Sequence, residues 1–365
     1  MQRRDAIQIL SSAALASQTL ISLADDAPLR LAIVGLVHGH VGGFLRQAVE
    51  DKAIELVGVF DPTQALREQY AGRYGFDSKH LFGNLDAMLD RAKPEAVALM
   101  TSTFDHTEVV EKCAARGVHV MMEKPLAVNI EHGARIERAA KRNGIHVLVN
   151  YETTWYSSHH ALKAKVEDGA IGELRKFVVR DGHPGPKEIG CSDEFLNWLT
   201  DPVWNGAGAL YDFGCYGANL ATWLLNNQRP VSVTAITQQI KPNVYPNVDD
   251  EATIILEYPK AVAILQASWN WPYNRKDMDV YGTNGSIKAL NNDNALIKIG
   301  GEKENPLATK ALAAPHHNPL AYFKAVVRGA VKPGGLSSLQ NNLIVNEILD
   351  AARRSAKTSE KVLLA

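Results

Sequence analysis

"AIVGLVHGHVGGF", residues 32–44, decides how the first third of the chain is read. Together with Leu29–Leu31 it opens as a strand-like apolar run that breaks at Gly35, as a strand does when it feeds the phosphate-cradling turn of a dinucleotide-binding domain. That turn asks for G-x-G-x-x-G, but Val37 and His40 stand where the second and third glycines belong. Two readings compete. In one, Gly35 makes the tight turn, Gly39 supplies backbone freedom displaced by two residues, and the N-terminus of the next helix faces a pyrophosphate. In the other, His38 and His40 hold a metal. Two imidazoles two residues apart need further ligands, and the sequence nominates no obvious third. The expectation is a cofactor loop and no metal.

Working outward, strand-like runs alternate with helix-period segments from residue 29 to 150: "LRLAIV", "IELVGVF", "HLFG", "AVALMT", "VHVMM" and "IHVLVN". Six strands in this order, separated by amphipathic helices, predict a doubly wound parallel sheet with helices on both faces. After Asn150 the texture changes. Alternating runs such as "LRKFVVRD", "EATIILEY" and "AVAILQASWN" follow one another with short turns, which predicts an α+β domain over 151–365 built on an open, mostly antiparallel sheet. The last two helical segments, "LAYFKAVVRGA" and "LQNNLIVNEILDAARRSAK", have amphipathic spacing that suits either domain.

Composition agrees with two globular domains. The 365 residues are 46% hydrophobic and 22% charged, more chain than a single core usually organises. Lys plus Arg is 39 against 40 for Asp plus Glu. A balance of −1 gives no electrostatic reason to expect nucleic acid or an anionic membrane as partner, and favours a small-molecule ligand. Cys113, Cys191 and Cys215 are too few and too scattered for a disulfide framework or a cysteine zinc site. At the amino terminus, Arg3 and Arg4 precede a moderately apolar stretch from Ala6 to Leu23, with Ser22 and Ala24 where a cleavage site wants small residues. Residues 1–24 resemble a twin-arginine signal, which carries a folded protein to the periplasm; an uncleaved anchor or a cytoplasmic tail is the alternative.

Three clusters carry candidate chemistry. Asp61 closes the second strand 26 residues after Gly35, where an acidic side chain accepts from both ribose hydroxyls and repels a 2′-phosphate; this favours NAD over NADP. Glu123, Lys124 and Pro125 end the fifth strand, at the carboxyl edge where such sheets bind ligands. Asp212 and Tyr216 in "DFGCY" are four apart at the start of a helical pattern, which predicts both on one helix face, with Lys124 near enough to favour the phenolate of Tyr216.

"EKPLA" after a dinucleotide fold, "TSTFDHTEVVEKCAARGVHV" before it, "DFGCY" in the second half and "VYGTNGSI" further on together resemble the glucose-fructose oxidoreductase, inositol dehydrogenase and rhizopine-catabolism (Gfo/Idh/MocA) family, from about residue 29 to the C-terminus. The resemblance implies hydride transfer between NAD(P) and a sugar, polyol or related hydroxyl. Lys124 would be the active-site lysine, Asp212 a supporting carboxylate and Tyr216 the acid-base group where many members carry histidine. Cofactor contacts are expected from Gly35, His38, Gly39, His40, Asp61, Thr101, His106, Glu123 and Lys124. For a carbohydrate substrate, Trp155 and His183 are the favoured contacts within "NYETTWYSSHH" and "RDGHPGPKEIG". A homo-oligomer joined through the exposed face of the second sheet is expected. Two other activities stay open: glycoside cleavage through transient oxidation by bound NAD, and a non-catalytic sugar and NAD sensor.

Overall fold

The computed structural model describes residues 27–364. The paired arginines and the apolar stretch after them lie outside the described residues, and among the described ones no helix is long and apolar enough to cross a membrane.

The first half alternates strands and helices: β1 (Leu29–Val34), α1 (Val41–Glu50), β2 (Ile54–Phe60), α2 (Gln64–Tyr74), β3 (Leu81–Phe82), α3 (Leu85–Ala92), β4 (Ala96–Leu99), α4 (His106–Ala114), β5 (His119–Glu123), α5 (Ile130–Asn143) and β6 (Val147–Asn150). All six strands pair in parallel in the order β3-β2-β1-β4-β5-β6. The near-continuous apolar character of β1 follows from being covered twice. Leu29, Leu31 and Ile33 face one core, Ala32 and Val34 the other, and all five are fully buried. This arrangement sends the ends of β1, β4 and β5 to one edge of the sheet.

The second half contributes α6 (Ser157–Glu167), β7 (Leu174–Gly182), α7 (Asp193–Leu199), α8 (Ala209–Asp212), α9 (Gly214–Leu224), β8 (Ser232–Gln238), β9 (Glu251–Glu257), β10 (Val262–Ser268), β11 (Arg275–Gly282), β12 (Gly285–Ala289), β13 (Ala295–Ile299), β14 (Asn305–Leu307), α10 (Pro319–Val327), α11 (Leu339–Thr358) and β15 (Val362–Leu363). Its nine strands run β14-β13-β12-β11-β7-β10-β9-β8-β15, antiparallel except where β7 meets β10. Along β7, Phe177, Val179 and Asp181 point inward while Lys176, Val178 and Arg180 point outward. The inward row therefore buries Asp181 and delivers His183 to the cleft, and the β7–β11 register sets Lys276 opposite Asp181 on the same face.

The C-terminal helices divide between the two cores. In α10, Leu320, Phe323 and Val326 complete the first sheet's core alongside Leu29, Leu31 and Ile33, whereas α11 packs against α9 and β8. The chain thus returns to its first domain before it ends.

Both cores hold histidines that burial keeps neutral. His106 and His159 are pushed down to about 4, and His38 well below its ordinary value. The unfolded chain takes up these protons first as pH falls, so the stability they permit is complete above about 6.5 and lost on the way down to about 4. Thermal melts across pH 7 to 4 are expected to show a falling Tm that His159→Gln softens; a flat profile contradicts the assignment.

Candidate active site

Lys124 leaves the end of β5 and enters the second domain. Its Nζ lies 2.5 Å from Asp212 Oδ1, and both side chains are almost fully buried. Asp212 Oδ2 accepts from Trp269 Nε1 at 2.8 Å. Burial pulls the lysine down, but the Asp212 carboxylate outweighs it and raises Lys124 to about 12. Burial pushes Asp212 up, and the ammonium holds it below the usual carboxylate value. The pair is ionised.

Asp212 ends α8 and Tyr216 lies in α9, with the helix broken at Phe213. The single helix face expected from their spacing is therefore replaced by two short helices. What fixes the start of α8 is Asp249, whose carboxylate accepts from the Gly208 and Leu210 N–H groups. A side chain at 208 would meet the Asp249 carbonyl oxygen at 1.8 Å, so glycine is required there.

The Tyr216 ring stacks on Phe213, with Lys124 Nζ 5.4 Å and Lys276 Nζ 5.0 Å from its centroid. Burial, with Glu152 adding to it, raises the phenol well above its ordinary value. No hydrogen bond joins the Lys124 ammonium, engaged by Asp212, to the Tyr216 hydroxyl, and burial favours the neutral phenol over the phenolate expected from the sequence.

These groups meet in a cavity of about 640 Å³ between the domains. His38, Gly39, His40 and Lys124 form one wall; Glu152, Tyr156, His183, Asp212, Tyr216 and Lys276 belong to the other. His183 is thus at the site, its ring edge-on to Phe213 at 4.8 Å. Trp155 is not. It lines a separate crevice with Tyr322 and Trp223, and its Nε1 donates to Asn150 Oδ1, while Asn150 Nδ2 donates to Glu123 Oε1. Its part is to brace the buried Glu123. Trp269, Lys276 and Asn150 had no signal of their own in the sequence; strand register and tertiary contact bring them in.

The cofactor residues separate into two groups. Gly35 has φ +87°, and a Cβ there would press on Thr101 Cγ2 and the Met100 backbone, so it makes the turn as expected. Gly39 has no positive φ and open space around it, so the displaced freedom assigned to it is not needed. The third group that the histidine pair was thought to lack is Glu123: His38, His40 and Glu123 place one ligand-type atom each within 4.8 Å. Their hydrogen bonding nevertheless suits protons better than a metal. His38 Nδ1 accepts the His40 backbone N–H, so its Nε2 carries hydrogen and has no lone pair for an ion.

Toward the nicotinamide end of the expected path, Lys124, Glu123 and the unpartnered buried His38 Nε2 offer polar groups to a ligand, and they fit one. Asp61 stands at the predicted strand end, but its carboxylate turns inward to the Leu36 and Thr63 N–H groups and is 1% exposed. That corrects the expectation of two free ribose acceptors. Thr101 and His106 are buried as well, His106 Nδ1 facing the Leu126 carbonyl. Helix α7 closes this side, its Phe195 and Trp198 rings 5.0 and 5.7 Å from that of His38.

Residues 29–151 match the family described as "Oxidoreductase family, NAD-binding Rossmann fold", and residues 159–288 match "GFO/IDH/MocA C-terminal domain". The inositol 2-dehydrogenase of Rhizobium meliloti is 24% identical over 92% of this chain and 99% of its own. The mouse trans-1,2-dihydrobenzene-1,2-diol dehydrogenase is 25% identical over 79% of this chain and 84% of its own. Among solved structures, an inositol dehydrogenase homologue from Azotobacter vinelandii complexed with NAD+ superposes with a TM-score of 0.79 at 19% identity, covering 93% of this chain and 98% of that one. With the two-sheet architecture and the Lys124–Asp212–Tyr216 cluster in place, the chain belongs to the Gfo/Idh/MocA family of NAD-binding oxidoreductases.

Proposed function

We propose that this oxidoreductase transfers hydride between NAD and one hydroxyl of an uncharged sugar or polyol in the cavity between its domains. The observation that carries the reading is the convergence of Lys124 from one domain with Asp212 and Tyr216 from the other in a single cavity of ligand size. Charge selects the substrate class: Lys124, Arg275 and Lys276 are balanced by Glu152, Asp212 and Asp277 in the lining, which favours a neutral polyhydroxyl molecule over a uronate or a sugar nucleotide. The Lys276–Glu152 ion pair and Tyr156, whose hydroxyl donates to Glu152, offer fixed donors and acceptors on the substrate side.

NAD bound along the strand ends would supply the hydride acceptor. The chain's own residues do the rest. Lys124, fixed by Asp212, directs positive charge at a substrate oxygen, and Tyr216 donates to that oxygen and delivers its proton in the reduction direction. General acid-base help of this kind contributes about 10² to 10⁴ in rate. The outer face of the second sheet, with Ile236, Ile255 and Tyr281 exposed, supports a homo-oligomer. The sequence pattern around Arg3 and Arg4 supports export to the periplasm.

Two results are expected. Purified protein supplied with NAD and a panel of sugars and polyols produces reduced nicotinamide with at least one of them, and Tyr216→Phe lowers kcat by about 10² or more with NAD affinity unchanged. Full activity in that variant removes Tyr216 from the chemistry. For export, N-terminal sequencing of mature protein is expected to begin near Asp25; an intact Met1 in the cytosolic fraction contradicts it.

A further inference from the structure

Lys332, Pro333, Gly334 and Gly335 lie between α10 and α11, and the proline and glycines suit a tight turn. The fold holds that turn firmly. Gly335 has φ +61°, the Leu336 carbonyl accepts from Asn219 Nδ2 at 2.8 Å and from Asn342 Nδ2 at 2.9 Å, and the Tyr322 hydroxyl accepts from the Gly334 N–H at 3.2 Å. Two buried amides and a tyrosine thus fix one side of the crevice that Trp155 lines. The crevice measures about 300 Å³ and shares no lining residue with the catalytic cavity.

Aromatic rings supply much of the remaining lining. Trp155 meets Tyr322 edge-on at 5.8 Å between centroids, and His160 meets Trp223 edge-on at 5.3 Å. An edge-on pair covers one ring face at most, which leaves others for a flat-sided ligand. Polar groups without partners stand among these rings. The Thr154 and Ser337 hydroxyls are buried and make no hydrogen bond among the described residues. Folded proteins seldom leave a buried hydroxyl unmatched, and two around one crevice point to a polar occupant. Burial lowers His160 from its ordinary value, so its ring is neutral, and its Nε2 donates to the Thr154 carbonyl at 2.9 Å. Nδ1 is then an acceptor.

Charge narrows the class of ligand. No Asp or Glu lines the crevice, whereas the catalytic cavity sets carboxylates against its lysines. Lys332 is exposed at the crevice and forms no ion pair among the described residues. Ring faces, hydroxyl partners and one unbalanced cation suit a polyhydroxyl ring that carries a single negative charge.

We propose that this crevice is a second ligand site, separate from the catalytic cavity, that binds a monosaccharide acid such as a hexuronate. The sugar ring stacks on the aromatic faces, its hydroxyls bond to Thr154, Ser337 and His160, and its carboxylate pairs with Lys332. The proposal does not depend on the redox reading above.

Fluorine-19 NMR of protein labelled with fluorotryptophan, with NAD present, locates the site, because the tryptophans divide between the two cavities. Trp155 and Trp223 line the crevice, while Trp269 donates to Asp212 at the catalytic cavity. Trp155→Phe, Trp223→Phe and Trp269→Phe assign the three resonances by their loss. Titration with sodium glucuronate is expected to shift Trp155 and Trp223 and leave Trp269 unmoved, with a Kd of about 1 mM, the scale for a ligand of this size. Glucose is expected to shift the same pair about 5-fold more weakly, and Lys332→Ala to abolish that difference while keeping the wild-type oxidation rate on a panel substrate. Four results overturn the proposal: no shift of Trp155 or Trp223 up to about 50 mM glucuronate, a shift of Trp269 alone, equal affinity for glucose and glucuronate in the wild type, or an unchanged preference in Lys332→Ala. Lys332 is exposed, so its replacement does not threaten the fold. If no panel compound is oxidised, the redox reading fails separately and the titration still decides.

Discussion

The ion pair between Lys124 and Asp212 is the constraint on which the site depends. It joins the last residues of a strand in one domain to a short helix in the other, out of water, and each partner justifies the burial of the other. A buried pair of this kind adds little net stability over an apolar contact, but removing one partner strands a charge and costs about 3–5 kcal/mol. The second domain is therefore held in register with the first where the chemistry takes place. Trp269 on Asp212 Oδ2 and the Asp249 clamp on the start of α8 keep the carboxylate from moving to meet the lysine elsewhere.

Burial also sets the proton inventory. With the ammonium of Lys124 engaged by Asp212, burial favours Tyr216 as a phenol, and this wall of the cavity offers a donor. On the other wall, a buried carboxylate faces two imidazoles, and the hydrogen bond from the His40 backbone to His38 fixes which nitrogen of His38 carries hydrogen. The two histidines that suggested a metal stand within 4.0 Å of one buried carboxylate oxygen of Glu123.

Much of this was legible in the amino-acid order. Parallel strands covered on both faces write near-continuous apolar runs, so β1, β2, β4, β5 and β6 were readable, and β7 through β13 announced themselves by alternation. Lys124, Asp212 and Tyr216 were found from a strand end, motif spacing and the family resemblance, and His183 from the polar and aromatic make-up of its stretch. What the sequence hid is what register and packing decide. Lys276 reaches the site only because β11 pairs with β7 so that it lies opposite Asp181. Trp155, one of several aromatics in its stretch, turns away to hold Asn150, while its neighbour Tyr156 faces the cavity. Asp61 sits where the strand pattern puts it, and only the folded loop shows its oxygens already taken by backbone N–H groups.

The most direct measurement is a crystal structure of the protein with NAD. The account predicts the nicotinamide ring in the interdomain cavity, beside Lys124 and across from the Tyr216 hydroxyl, with the Lys124–Asp212 contact intact. A dinucleotide bound away from that cavity, or a complex in which Lys124 and Asp212 have parted, would contradict it.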